Sequence, residues 1–288
     1  MQNYLDLLKD VMDNGQDRPD RTGIGSRFVN GRLLRWNLQD GFPMLTSRRV
    51  SLRIAFEETM FFLRGLSDTK LLEEKNINIW RGNTSREFLD SRGLTQLPEG
   101  DMGRGYGVQW RDWRSHGTNA SVDQINLMLQ GIRQDPHSRR HVVTGWNPGE
   151  LDQMALPPCH MLQMYTVSGE FSTESGRLNN CFVMRSNDVP YGLPYNIMSY
   201  ALLNHIFAQH LGLAPGELVY MGWDVHIYNN QFEMVAEQLE RTPSALPTLH
   251  ITKDLSTIDD IMQLEWSDIR LEGYNPQPDI KNKPKMAV

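Results

Sequence analysis

Two cysteines, Cys159 and Cys181, are all that the 288 residues contain. That is too few for a disulfide-stapled secreted scaffold. No stretch approaches the roughly 18 uninterrupted apolar residues that a membrane helix requires, so no membrane partner is expected. Positive charge is not in excess: 29 Lys and Arg stand against 35 Asp and Glu, for a net charge of −6. A chain so charged cannot neutralise many phosphates, and no nucleic-acid partner is expected. A small anion held by a local arginine cluster stays open. The eight histidines include no HExxH, and no CxxC partner set occurs, so no metal is expected. The phosphate-cradling patterns GxGxxG and GxxxxGK[ST] are missing, as is the GxSxG elbow. The opening MQNYLDLLKD has no basic segment followed by an apolar run, so no signal peptide is expected, and a cytoplasmic location is.

Apolar residues make up 39% and charged residues 22%, enough for a substantial core. Tyr4, Leu5, Leu8, Val11 and Met12 recur at helical spacing up to Gly15. Extended segments around Phe28–Val29 and Leu33–Trp36 flank Asn30-Gly31, a two-residue hairpin signal. A second helix is predicted from Ser51 to Leu63, closed by Gly65, and a third from Val122 to Ile132, ended by Asp135-Pro136. Residues 83–120 read as loops and short helices. Short strands are predicted at Val142–Val143, Leu162–Val167, Leu178–Met184 and Leu218–Met221, alternating with long helices over Asn196–Leu211 and Asn229–Arg241. No repeat, low-complexity block or Gly/Ser linker divides the chain. One α+β domain over 1–288 is expected.

Cys159 lies in LPPCH, where two prolines hold the segment out of a strand ladder. A thiol presented this way is nucleophilic if a cation lowers its pKa from about 8.5, and otherwise is a small buried hydrophobe. Cys181, flanked by apolar residues, reads as a buried strand residue. Arg21, the pair Arg139-Arg140 after Ser138, and Arg185 before Ser186 all suit a phosphate, because guanidinium forks onto two oxygens. Each alone also suits a solvated surface. An extended Arg139-Arg140 would point to opposite faces, so both reach one phosphate only from an irregular segment or from a partner subunit. Glu57-Glu58 is unusual on an apolar helix. Exposed surface explains one of them, and a catalytic or ligand-binding carboxylate is the other reading.

LPPCH at 156–160, RSND at 185–188, GLPYNI at 192–197, D-x-H-x-Y at 224–228 and the terminal MAV together resemble the thymidylate synthase family. So do DRTG near the start, LQDGFPMLT at 38–46, FLDSRG at 88–93, YGVQWR at 106–111, DPHSRR at 135–140 and GYNPQP at 273–278. The resemblance implies an α+β domain with a mixed sheet packed against its mate in an obligate homodimer. It implies transfer of a one-carbon unit from 5,10-methylenetetrahydrofolate to C5 of dUMP, through a thiolate adduct at C6. Cys159 matches the nucleophile. Arg185, Ser186 and Arg21 match phosphate ligands, with Arg139 and Arg140 donated across the dimer. Asn196 matches the pyrimidine reader: its amide offers an acceptor for uracil N3–H and a donor for O4, the reverse of what cytosine needs. His226 and Tyr228 match deoxyribose contacts. Glu58 matches the carboxylate that organises proton transfers, and Tyr106 the tyrosine near the C5 proton. Trp80, Asp188, Gly192 and Val288 match folate contacts and the closing tail, and His160 an auxiliary hydrogen-bonding position.

The sequence departs from the family pattern at several places. Met184 stands for the usual Gln before RS, Arg81 for the Asp after the tryptophan, and Phe61 for a tryptophan. Arg104 and Gly105 replace Pro and an aliphatic residue, and Gln231 replaces a His. Trp223 replaces a small residue, and Arg48-Arg49-Val50-Ser51 fills a basic-then-His region. One scaffold supports two outcomes: hydride gives dTMP, and water gives 5-hydroxymethyl-dUMP. MRSNDV resembles viral hydroxymethylases, for which the location would be the host cytoplasm. The retained Trp80, MAV and GLPYNI favour the synthase, since hydride transfer needs a dry site. The intact Cys159, Arg185, Asn196 and Glu58 argue against a non-catalytic or RNA-binding relative.

Overall fold

The computed structural model describes residues 1–20, 22–115, 120–171, 173–281 and 283–284. Arg21 and Val288, both expected in the site, lie outside the described residues. The chain opens with helix α1 (Gln2–Asn14), whose Tyr4, Leu5, Leu8 and Val11 are buried as the spacing predicts. Strands β1 (Gln16–Arg18) and β2 (Ser26–Asn37) follow, then helix α2 (Leu52–Leu63). Short elements occupy the next stretch, as read from its polar, glycine-rich sequence. These are α3 (Lys70–Glu73), α4 (Arg86–Ser91), α5 (Gly107–Arg111), β3 (Trp113–Arg114) and β4 (Ser121–Val122). Helix α6 (Gln124–Gln134) leads to β5 (Val142–Thr144), β6 (His160–Ser168) and β7 (Arg177–Asp188). Helix α7 (Gly192–Leu211), β8 (Ala214–Tyr228) and α8 (Phe232–Leu239) complete the centre. A two-stranded ribbon, β9 (Thr248–Ile251) with β10 (Ile269–Glu272), encloses α9 (Ile258–Met262).

Among the described residues the main sheet has six strands in the order β1-β2-β8-β7-β6-β5. β7 and β8 run parallel, and the other neighbours run antiparallel, so the sheet is mixed and the fold is α+β. Period-two alternation turns Leu178, Asn180, Phe182 and Met184 of β7 inward. They meet α7, which is apolar nearly all round and buried along most of its length. Phe182 stacks on Tyr200 with centroids 4.3 Å apart.

The hairpin predicted at Asn30-Gly31 is absent. Both residues lie inside β2, which pairs with β8 in one register from Ser26↔Tyr228 to Asn37↔Glu217. Gly31 has φ 64° and kinks the strand without reversing it. A long ladder on β8 outweighs a local turn that would pair two short arms with each other. The strands predicted as short are also longer, β7 having 12 residues and β8 15. Asn180 among the apolar residues and Gly216 and Gly222 in β8 hid their full extent. The helix predicted at Asn229–Arg241 begins as a 3-10 turn, and α8 covers only its middle.

The face of the sheet away from α7 is not polar. Leu33, Met221 and Trp223 line one shallow hollow with Val183, and Trp223 is 64% exposed. Exposed Val142 lies on the same face. Cys181, read as a buried strand residue, is only half-buried because it belongs to this outward row. No helix among the described residues is long and apolar enough to cross a membrane.

Candidate active site

Cys159 follows Pro157 and Pro158 in irregular backbone and directly precedes β6. The prolines keep the residue out of the ladder, as expected, while the next strand fixes its position. Arg185 on β7 reaches back to it. Its N–H donates to the Cys159 carbonyl at 2.9 Å. Its guanidinium donates from Nε to the Pro158 carbonyl and from Nη2 to the Pro157 carbonyl, both at 2.9 Å. The same Nη2 lies 3.8 Å from Cys159 Sγ. A fixed cation at that distance stabilises the thiolate over the thiol. Trp146 covers the guanidinium, its ring centroid 5.6 Å from Cζ.

Tyr106 meets the other side of Cys159. The cysteine N–H donates to its hydroxyl at 3.0 Å. Tyr106 has φ 39°, a left-handed backbone held between Gly105 and Gly107. Gly107 is needed for contact: a Cβ there would lie 2.4 Å from the Phe62 carbonyl oxygen of α2. The Tyr106 ring stacks on Phe62 at 4.9 Å and meets the edge of Trp80 at 5.5 Å. Burial raises its hydroxyl pKa well above the ordinary value, with the Cys159 charge adding to the effect. Behind it lies His160, whose Nδ1 is 2.8 Å from the Tyr200 hydroxyl. Burial pushes this imidazole down to about 3, so it is neutral near pH 7.

The expectation for Glu57-Glu58 needs correction, since neither is on exposed surface. Glu57 is buried and ion-paired with Lys75 at 2.6 Å. Glu58 points into the aromatic wall and accepts the Trp80 indole N–H at 2.8 Å. Burial pushes its carboxyl up to about 7, and the Trp80 bond opposes only part of that.

The C-terminal ends of β7 and β8 lie side by side, with Ser186 opposite Asp224 and Asp188 opposite His226. Asp188 accepts the Tyr191 N–H at 3.2 Å and the Gln231 amide at 3.0 Å. Burial raises its pKa, against the pull of His226 and Gln231. His226 Nδ1 is 2.9 Å from Asp224, which also pairs with Arg18. Tyr228 meets the His226 ring edge-on at 5.1 Å. Gly192 opens α7, and Asn196 sits in its second turn. The departures are absorbed locally: Arg81 pairs with Glu73, Arg104 with Glu150 and Asp112, and Gln231 with Asp188.

Arg139 and Arg140 are exposed in an irregular segment, and neither has a hydrogen-bond or ion-pair partner among the described residues. Sequence reasoning gave no role to Asn187, which is 2% exposed and contacts Asn196; Arg48, named only as part of a basic region, is buried with its guanidinium on the Pro190 carbonyl. Asn187 is the third residue of the RSND motif at 185–188, and its place in that motif was the available signal. Tyr191 ties the tail by donating to the Pro284 carbonyl at 2.5 Å.

Fold and site thus define an α+β protein with an arginine-braced cysteine and a half-buried carboxylate on either side of an aromatic wall. Residues 2–288 match the family described as thymidylate synthase, and the chain belongs to that family. It is 43% identical over 293 residues to the bifunctional dihydrofolate reductase-thymidylate synthase of Leishmania major, covering 99% of this chain and 55% of that one. It is 42% identical over 291 residues to a probable thymidylate synthase of Schizosaccharomyces pombe, covering 97% of this chain and 46% of the other. The chain spans about half the length of these relatives.

Proposed function

We propose that this chain is a transferase that methylates dUMP at C5, giving dTMP, with 5,10-methylenetetrahydrofolate as co-substrate. The observation that carries the reading is Arg185 Nη2 at 3.8 Å from Cys159 Sγ, on a guanidinium locked by two proline carbonyls. Uracil C5 is a weak nucleophile. Addition of the Cys159 thiolate to C6 moves the ring electrons to O4 and makes C5 reactive. The folate supplies the one-carbon unit and the hydride. When the C5 proton has left and the methyl group is complete, the C6–S bond breaks and the thiolate is restored.

The other residues have parts in keeping with their surroundings. Arg185, Ser186 and Arg21, with Arg139 and Arg140 of the partner subunit, bind the phosphate. Nη1 of Arg185 makes no hydrogen bond among the described residues, which suits a ligand oxygen. Asn196 reads the pyrimidine, and His226 and Tyr228 hold the deoxyribose. A carboxyl pushed up to about 7 lets Glu58 both hold and release a proton near uracil O4 at neutral pH. Tyr106 faces the C5 proton, and neutral His160 supports it through its ring. Trp80, Asp188, Gly192 and Val288 bound the folate.

The functional unit proposed is a cytoplasmic homodimer of single-domain chains. Support for one domain comes from an apolar core that runs continuously from α1 to β10. Support for the dimer comes from the outward sheet face, where Leu33, Val142, Met221 and Trp223 are exposed.

Both relatives carry the synthase name, which favours reduction of the one-carbon unit over hydration. Mass analysis of the nucleotide formed from dUMP and methylenetetrahydrofolate is decisive. The expected product is dTMP with dihydrofolate in equal amount. A 5-hydroxymethyl product with tetrahydrofolate would replace this reading with a hydroxymethylase.

A further inference from the structure

A side-chain amide can read uracil, but an amide turned over by half a rotation about its terminal bond reads cytosine equally well. Its oxygen and nitrogen have nearly the same shape and opposite hydrogen-bonding sense. Asn196 therefore discriminates between the two bases only if another group fixes which end is which. The candidate must be buried, so that water cannot compete, and must itself be fixed.

Asn187 meets these conditions. It is 2% exposed at the end of β7, and its Nδ2 lies 3.4 Å from Asn196 Oδ1. The same Nδ2 lies 2.6 Å from the sulfur of Met184, which is also buried. A thioether sulfur accepts and never donates, so it favours the orientation of Asn187 that presents its NH2 group. The second N–H of that group is then directed at Asn196 and requires an oxygen there. Among the described residues, buried Asn187 Oδ1 has no hydrogen-bond partner, so the orientation is retained at the expense of an unsatisfied acceptor. Asn204 and Asn180, the other buried amides near α7, bond to each other and to the Leu178 and Tyr200 carbonyls, away from Asn196.

We propose that Asn187, oriented by Met184, is the positioning residue that sets uracil over cytosine specificity by locking the Asn196 amide. The proposal rests on the reading of the chain as a dUMP enzyme. It also gives Met184 a task, in place of the polar residue usual at that position in the family.

The test measures dissociation constants of dUMP and dCMP by calorimetry for the wild type and four variants. Wild type should prefer dUMP. In Asn187→Ala the preference should fall about five-fold or more, the worth of one neutral hydrogen bond. Asn187→Asp presents only acceptors to Asn196 and should move the preference further toward dCMP. In Asn196→Ala, adding Asn187→Ala should leave the dUMP:dCMP ratio unchanged, because the effect passes through Asn196. Thermal melts identify any variant that fails to fold, and Asn187→Asp, nearly isosteric, keeps the question answerable if the alanine variant does. A ratio within two-fold of wild type in the folded Asn187→Ala and Asn187→Asp variants would overturn the locking role while leaving the dUMP reading intact. No dUMP binding by wild type would overturn both.

Discussion

Glu58 sits on a helix whose other buried positions are mostly apolar, and its carboxyl is held up at about 7 mainly by burial. In the unfolded chain the same group ionises near 4.5. Between those values the folded state binds the extra proton, so stability falls as pH rises from about 4.5 to 7 and stays reduced above. The full shift corresponds to about 3 kcal/mol at most. Glu58→Gln keeps an oxygen for the Trp80 indole but cannot ionise. Its melting temperature should match wild type below pH 4.5 and rise above it by several degrees at pH 8. A difference independent of pH would show that the carboxyl is not held protonated. His160 has the opposite dependence. Its pKa is depressed to about 3, so its contribution is present above 6.5 and is lost as pH falls through that interval.

The loop between Met102 and α5 is the element on which the site geometry turns, because it carries Tyr106 in a left-handed conformation against α2. Its two flanking glycines do different work. A Cβ on Gly107 would lie 2.4–2.8 Å from Phe62 backbone atoms, whereas one on Gly105 has only the Met102 oxygen, at 3.8 Å. Gly107→Ala must therefore push the loop off α2, at a cost of about 1–3 kcal/mol. Thermal melts and turnover should show a loss of several degrees and reduced kcat for Gly107→Ala, and near wild-type values for Gly105→Ala. Equal effects from both would mean that chain flexibility, not contact, makes glycine necessary. Local pattern was enough to find α1, α2, α6, α7 and the strands flanking the site, since each carries its own apolar period or, in α7, a long apolar run. Cys159 was legible because prolines announce irregular backbone. What could not be read were features set by distant partners: β2 passing straight through Asn30-Gly31, the ion pair that buries Glu57, and the approach of Asn187 to Asn196. Each depends on a neighbour far along the chain or on another element.

At the scale of the molecule, two surface features stand without partners among the described residues. Leu33, Met221 and Trp223 expose an apolar face on the main sheet, and Arg139 and Arg140 project without partners among the described residues. The two-fold dimer proposed above would cover the first and bring the second to the neighbouring site. The consequence is testable by mixing two inactive proteins. Cys159→Ser lacks the proposed nucleophile, and the double variant Arg139→Ala/Arg140→Ala lacks the cations proposed to be donated. In a mixed dimer of shared sites, one site receives both lesions and the other receives neither. Random reassortment makes half the dimers mixed, so about a quarter of wild-type activity should return after joint unfolding and refolding. If both arginines serve their own chain, each site keeps one lesion and activity stays at the level of the inactive parents. Trp223→Glu, with a charge in the apolar face, should move the protein toward monomer by sedimentation and abolish activity in parallel. An active monomer would place the whole site within one chain and leave the exposed sheet face unexplained.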